Sequence, residues 1–118
     1  LIILYYMPRL CQENDLGPIE YKERLQSMTD TKIKKYATQM KFRLIEGNGI
    51  SYYLIGVKDN GVILGVSNKY HKLYTKLIAK ICREINCKII SIELIGREIQ
   101  YMKFTIKSMF DISSIYNF

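Results

Sequence analysis

A two-layer α/β sandwich, with a mixed four- to five-stranded sheet and two main helices, is the fold these 118 residues predict. Three observations predict it. Ile33, Tyr36, Ala37, Met40 and Leu44 recur at steps of three and four, as do Tyr70, Leu73, Tyr74, Leu77, Ile78, Ile81 and Ile85. Each set makes one apolar helix stripe. Residues 50–57 are apolar at nearly every position, the pattern of a central strand covered on both faces. Met102, Phe104 and Ile106 alternate with Lys103, Thr105 and Lys107, so one face of that strand turns inward. The order strand, helix, hairpin, helix, hairpin lays both helices on one sheet.

Residues 1–18 read as an N-terminal arm, 19–110 as one α/β domain and 111–118 as a C-terminal tail. Residues 1–6 are apolar but far too short to span a bilayer, and they lack the basic start of a secretory signal. Met7 is the expected initiator. Asn14, Asp15, Gly17 and Pro18 punctuate the arm, and Ile19 and Tyr21 alternate with Glu20 and Lys22 as in a short strand. Thr29 or Asp30 caps the first helix through a side-chain oxygen. Gly47-Asn48-Gly49 ends it, because glycine tolerates the left-handed cap geometry. Lys58-Asp59-Asn60-Gly61 joins residues 50–57 to a strand at 62–66, and Asn-Gly predicts a type I′ turn. Ser67 or Asn68 caps the second helix, which Asn86 and Cys87 end. Residues 88–95 read as a third buried strand, Gly96-Arg97 as a turn and residues 99–107 as a fourth strand. Ile112, Ile115, Tyr116 and Phe118 make the tail apolar enough to dock on its own domain or on a partner.

The formal charge of +7 makes polyanions the natural partners to consider. Charged residues at 25% and apolar ones at 48% are the balance of a soluble globular domain, and a cytoplasmic one is expected. Cys11, Cys82 and Cys87 are an odd set without a CxxC pair, and with His71 they match no zinc-site spacing. Reduced thiols and no metal or other cofactor are the expectation. Ten tyrosines without a tryptophan decide nothing, since Tyr36, Tyr53, Tyr70 and Tyr74 fall on apolar faces.

The clearest functional pattern lies on the second helix. Lys69, Lys72, Lys76, Lys80 and Arg83 follow at steps of three or four and form one ridge, roughly 140° around the helix from the apolar stripe. Such a ridge can track a phosphate backbone, each neutralised phosphate releasing counterions. Only Glu84 offers a carboxylate at the right spacing along the helix, so the charges are largely unpaired there. Lys22, Arg24, Lys34, Lys35, Lys41 and Arg43 are further RNA-contact candidates, though those on the first helix surround it without forming a ridge. Phe42 projects away from Ile33, Met40 and Leu44. It is either covered by the arm, the expected state, or exposed to stack on a base or pack on a protein. Phe42, Tyr116 and Phe118 are the candidate partner contacts.

For catalysis the candidates are Glu20, Glu23, Glu46, Asp59, His71 and Cys11. A metal-dependent nuclease needs carboxylates converging on a cation. Glu20 and Glu23 fall on opposite faces of a strand, Asp59 serves a turn, His71 has no obvious partner and Cys11 no nearby base. No catalytic residue is assigned.

Ile19-Glu20-Tyr21-Lys22, then residues 38–44 with Glu46-Gly47 and Gly49, then residues 55–61 and Leu64-Gly65, strongly resemble one known region. It is the domain that precedes the GTPase module in GTP-binding protein 1-type translational GTPases, and the resemblance covers about residues 19–94. The strand and its Asp-x-Gly hairpin resemble, more weakly, the Alba-like domain of Schlafen-type proteins. No GxxxxGK[ST] loop follows in this sequence, so the resemblance carries no nucleotide hydrolysis with it. It implies a translation-linked accessory domain standing alone, similar in kind to the small dormancy factors of idle ribosomes, microsporidian ones included. The expected partner is therefore the ribosome, its rRNA and its proteins, for a factor monomeric when free, with no membrane and no small-molecule substrate. Occlusion of a tRNA site, the exit site foremost, is the expected mechanism. The alternatives are a Schlafen-like RNA-cleaving enzyme using Glu20, Glu23 and Asp59, and an accessory subunit of a GTPase acting in trans.

Overall fold

The chain alternates β1 (Ile19–Lys22), α1 (Asp30–Glu46), β2 (Ile50–Ile55), α2 (His71–Glu84), β3 (Cys87–Ile95) and β4 (Tyr101–Ser108) in a computed structural model that describes residues 9–26 and 28–112. The sheet runs β1-β2-β4-β3. β1 and β2 are parallel, while β4 lies antiparallel to both of its neighbours. The predicted class therefore holds, with four strands rather than five. Residues 1–8 and 113–118, which include the apolar start, Tyr116 and Phe118, lie outside the described residues.

Local chemistry sets the helix ends. Thr29 Oγ1 accepts the Lys32 N–H at 3.3 Å and starts α1. At the other end Gly47 donates to Arg43 O and Gly49 to Leu44 O. Asn48 (φ 52°) and Gly49 (φ 100°) take the left-handed geometry. Gly47 does not, and its glycine serves space: a Cβ there would stand 1.8 Å from Ile50 O. Before α2 a 3-10 turn, Asn68–Tyr70, intervenes, and Ser67 makes no side-chain cap bond.

Both helices cover one face of the sheet. Ala37, Met40 and Leu44 of α1 and Tyr74, Ile78, Ile81 and Cys82 of α2 meet Tyr53, Ile55, Met102, Phe104 and Ile106 of the strands. Met102, Phe104 and Ile106 turn inward as their alternation predicts. Cys82 and Cys87 pack as small hydrophobes around Met40, whose sulfur lies 3.8 and 3.6 Å from theirs. Phe104 has no solvent exposure. Phe104→Ala is expected to cost about 3–5 kcal/mol in urea unfolding, the lost transfer energy plus the cavity left behind.

A smaller cluster closes part of the opposite face. Tyr21, Leu54, Val57 and Tyr101 are buried there under Leu10 of the arm and Ile63. The arm is thus a packed element: Leu10 donates to Gly61 O, Glu13 to Asp59 O, and the Tyr21 hydroxyl donates to Cys11 O.

Four expectations need correction. β3 is an edge strand, not a buried one, and Ile90, Ile92 and Leu94 are each more than 40% exposed. Residues 62–66 do not form a strand; Val62 bridges Arg9 and Ile63 bridges Val57, both as isolated antiparallel pairs. The turn before them is not type I′. Gly61 donates to Lys58 O, Lys58 donates to Val62 O, and Gly61 (φ 91°) alone is left-handed, which is a three-residue loop with a glycine bulge. Finally, Tyr70 and Leu73 leave the apolar face of α2 and are exposed.

Candidate nucleic-acid interface

The two faces of α2 differ sharply. Tyr74, Ile78, Ile81 and Cys82 are buried, whereas Lys72, Lys76, Lys80 and Arg83 are exposed, as is Lys69 in the 3-10 turn just before the helix. None of the five is in an ion pair among the described residues, where the pairs found are those of Arg43. Lysines four apart repel each other by a few tenths of a kcal/mol per pair, so the row Lys72, Lys76, Lys80 weakens the helix that carries it. Lys69 stands over the Tyr70 ring, its ammonium 5.2 Å from the centroid, and Tyr70 stacks on Tyr74 at 5.5 Å. Beside the ridge runs an open groove of about 480 Å³ between His71, Lys72, Thr75 and Lys76 on one side and Ile92, Leu94 and Met102 on the other.

The remaining candidates separate. Lys34, Lys35 and Lys41 are exposed around α1 without converging. Arg24 is exposed and lines a cleft with Glu23, Ser67 and Tyr70. Lys22 is half-buried; its ammonium donates to Gln39 Oε1 at 3.1 Å and lies 4.9 Å from the Tyr36 centroid. Phe42 is 42% exposed, so the described residues of the arm leave it open, and its ring lies 5.8 Å from the Arg43 guanidinium carbon.

Arg43 is the main correction among the candidate RNA contacts. It is 4% exposed and points into the fold. Its Nη1 donates to the carbonyl oxygens of Asn14 (2.9 Å), Leu16 (3.1 Å) and Gly17 (3.0 Å). Its Nη2 donates to Glu20 Oε2 at 3.4 Å, with Glu13 Oε2 at 3.9 Å. A guanidinium this buried, with both terminal nitrogens donating to oxygens within the chain, is not presented to a phosphate.

Glu13 and Glu20 crowd this one cation. Burial, the hydrogen bond shared with Glu20 and its charge push the Glu13 carboxyl up to about 7, against the pull of the Tyr21 N–H and Arg43. Folding thus takes up a proton between pH about 4.5 and about 7. The stability this provides is complete in acid and is lost as the pH rises through that window. The loss is expected to be on the order of 1 kcal/mol once solvent screening is discounted. Glu13→Gln should flatten the profile in urea melts at pH 5 and pH 8.

The carboxylates considered for catalysis are not brought together. Glu20 is buried against Arg43, Glu23 lies past the end of β1, and Asp59 sits in the turn that receives the arm. No group of three or more His, Cys, Asp or Glu among the described residues is placed to hold a metal ion. Cys11 is exposed on the arm while Cys82 and Cys87 are in the core, and the neighbouring Cys82 thiol, then burial, push the Cys87 thiol up. His71 is half-buried beside Val66 O at 3.4 Å. No helix of the described residues is long and apolar enough to cross a membrane.

These features define a class: a small basic α/β sandwich that presents an unpaired cationic helix face. By sequence the chain is similar to GTP-binding protein 2 of Mus musculus and of Homo sapiens, 33% identical to each over 94 residues, which is 80% of this chain and 15% of theirs. It is also similar to uncharacterized protein R625 of Acanthamoeba polyphaga mimivirus, 38% identical over 105 residues, 86% of this chain and 56% of that protein. The chain is thus a partial homologue of GTP-binding protein 2, in line with the resemblance read from its motifs. It spans about a sixth of the length of those two relatives and just over half of the viral one. No family profile and no solved structure matches it.

Proposed function

We propose that this protein is a non-enzymatic ribosome-binding factor whose α2 ridge grips rRNA phosphates, and that it keeps the ribosome inactive by occluding a tRNA site, the exit site foremost. In this reading it works in the cytoplasm, monomeric when free, without a cofactor. The observation that carries it is the ridge itself. Five exposed cations, four on one face of α2 and Lys69 on the 3-10 turn that leads into it, are without an ion pair among the described residues; those four apart lower the helix's stability, and the row suits a phosphate backbone. Similarity to a segment of GTP-binding protein 2 supports a setting linked to GTPases of translation. The test is co-sedimentation of the Lys72→Glu/Lys76→Glu/Lys80→Glu variant with purified ribosomes, with deacylated tRNA as competitor. Loss of binding is expected, and binding equal to the parent protein's would reject the reading.

A second reading is favoured by one observation. The match covers 80% of this chain but only 15% of GTP-binding protein 2, the proportions of an accessory module. Such a module would dock on a GTPase partner in trans. Pull-down of the tagged chain from ribosome-depleted lysate separates the two: a GTPase retained without ribosomes favours this one.

A further inference from the structure

The face of the sheet turned away from the helices is only half covered. Tyr21, Leu54 and Tyr101 lie under the arm and the turn that binds it. The other half, which no described residue covers, begins at Tyr52, half-buried where it packs against that cluster, with Lys103, Lys107 and Lys88 beyond it. Tyr52 is directly opposite Thr105, which places Lys103 and Lys107 diagonally on either side of the ring. The Lys103 ammonium stands 5.0 Å from the Tyr52 centroid, although Glu93 is its cross-strand neighbour. Lys88 and Lys107, both exposed, are directly opposite each other across β3 and β4. Like charges so placed destabilise a sheet, and neither lysine is ion-paired among the described residues. A bound anion would remove that repulsion. Lys103 and Lys107 are four strand residues apart, about 13 Å, the reach of a stretched backbone of about two nucleotides. An aromatic ring on a sheet, rimmed by cations, suits a splayed single strand, whereas duplex RNA buries its base faces.

We propose that this half-face is a second RNA-contact site, taking single-stranded RNA with a base stacked on Tyr52 and phosphates on Lys103, Lys107 and Lys88. It extends the RNA reading to a surface on the far side of the sandwich from the α2 ridge, so the two can fail separately. The probes are a labelled 12-nucleotide oligouridylate and a 12-base-pair RNA duplex, read by fluorescence anisotropy with the full chain. Lys88→Ser/Lys107→Ser and Tyr52→Leu are each expected to weaken oligouridylate binding about tenfold and leave duplex binding unchanged. The lysine pair is expected to keep or raise the melting temperature, since it removes a like-charge contact, and Tyr52→Leu keeps an apolar side chain beside Leu54. Unchanged oligouridylate affinity in folded variants overturns the proposal. Equal losses on both probes overturn it too, since that marks general charge attraction. If the α2 variant binds both probes normally while these variants lose oligouridylate, the ridge reading falls and this one stands.

Discussion

Replacing Arg43 with methionine is expected to cost about 3–5 kcal/mol in equilibrium urea unfolding. This is a large share of the 5–15 kcal/mol typical of a domain. The cause is what the substitution strands. The carbonyl oxygens of Asn14, Leu16 and Gly17 lose their donor, and the buried Glu20 carboxylate loses the cation that holds it. A buried acceptor left alone costs about 1–3 kcal/mol, and a buried charge more. Lysine should rescue only in part, because a single ammonium cannot reproduce a planar fork aimed at a carboxylate and at backbone oxygens together. The informative comparison is Arg43→Met/Glu20→Gln. Removing both charges should destabilise less than Arg43→Met alone, since the buried Glu20 carboxylate is then no longer orphaned. Were the single and double variants equally stable, burial of an orphaned carboxylate would not be the source of the loss.

The triple reversal on α2 should act on binding and spare the fold. Each lysine that neutralises a phosphate adds about 0.7–0.9 to the slope of log K against log salt. Removing three should therefore lower that slope by roughly 2–3 in ribosome or RNA titrations, and weaken binding on the order of a hundredfold or more at low salt. The melting temperature should hold, because Tyr74, Ile78 and Ile81 on the opposite face are untouched and the repulsion among three carboxylates four apart is offset by Lys69 and Arg83, each three residues from an outer one. A variant with normal affinity and an unchanged salt slope would return the ridge to ordinary solvated surface. A variant that lost affinity without losing slope would point to a distorted helix, and circular dichroism would detect it.

How much was legible in the sequence follows from the distance over which each feature is determined. The exposed row Lys72, Lys76, Lys80, the buried Tyr74, Ile78 and Ile81 of α2, the Thr29 cap and the inward set Met102, Phe104, Ile106 depend on neighbours within one element, and the structure places them as the spacing predicts. Strand order is not local. Ile90, Ile92 and Leu94 carry the composition of a buried strand, yet their strand is placed at the edge, where α2 leaves them exposed. Arg43 misled for the same reason. Its place beside Lys41 on a basic helix suggests surface, while its acceptors lie 23 to 29 residues earlier in the chain. The one available signal was its position, three after Met40 and one before Leu44, on the flank of the apolar stripe. Lys88 against Lys107 was likewise invisible, because the register of β3 on β4 shifts between Ile89 and Ser91.

The anchoring of the arm has a consequence for how this unit can be cut or transplanted. A fragment beginning at Ile19 would keep every helix and strand among the described residues, yet it would enclose a guanidinium deprived of three carbonyl acceptors and leave Tyr21, Leu54 and Tyr101 bare. Grafting the module into another protein therefore requires a start no later than Leu10, although regular secondary structure begins nine residues after it.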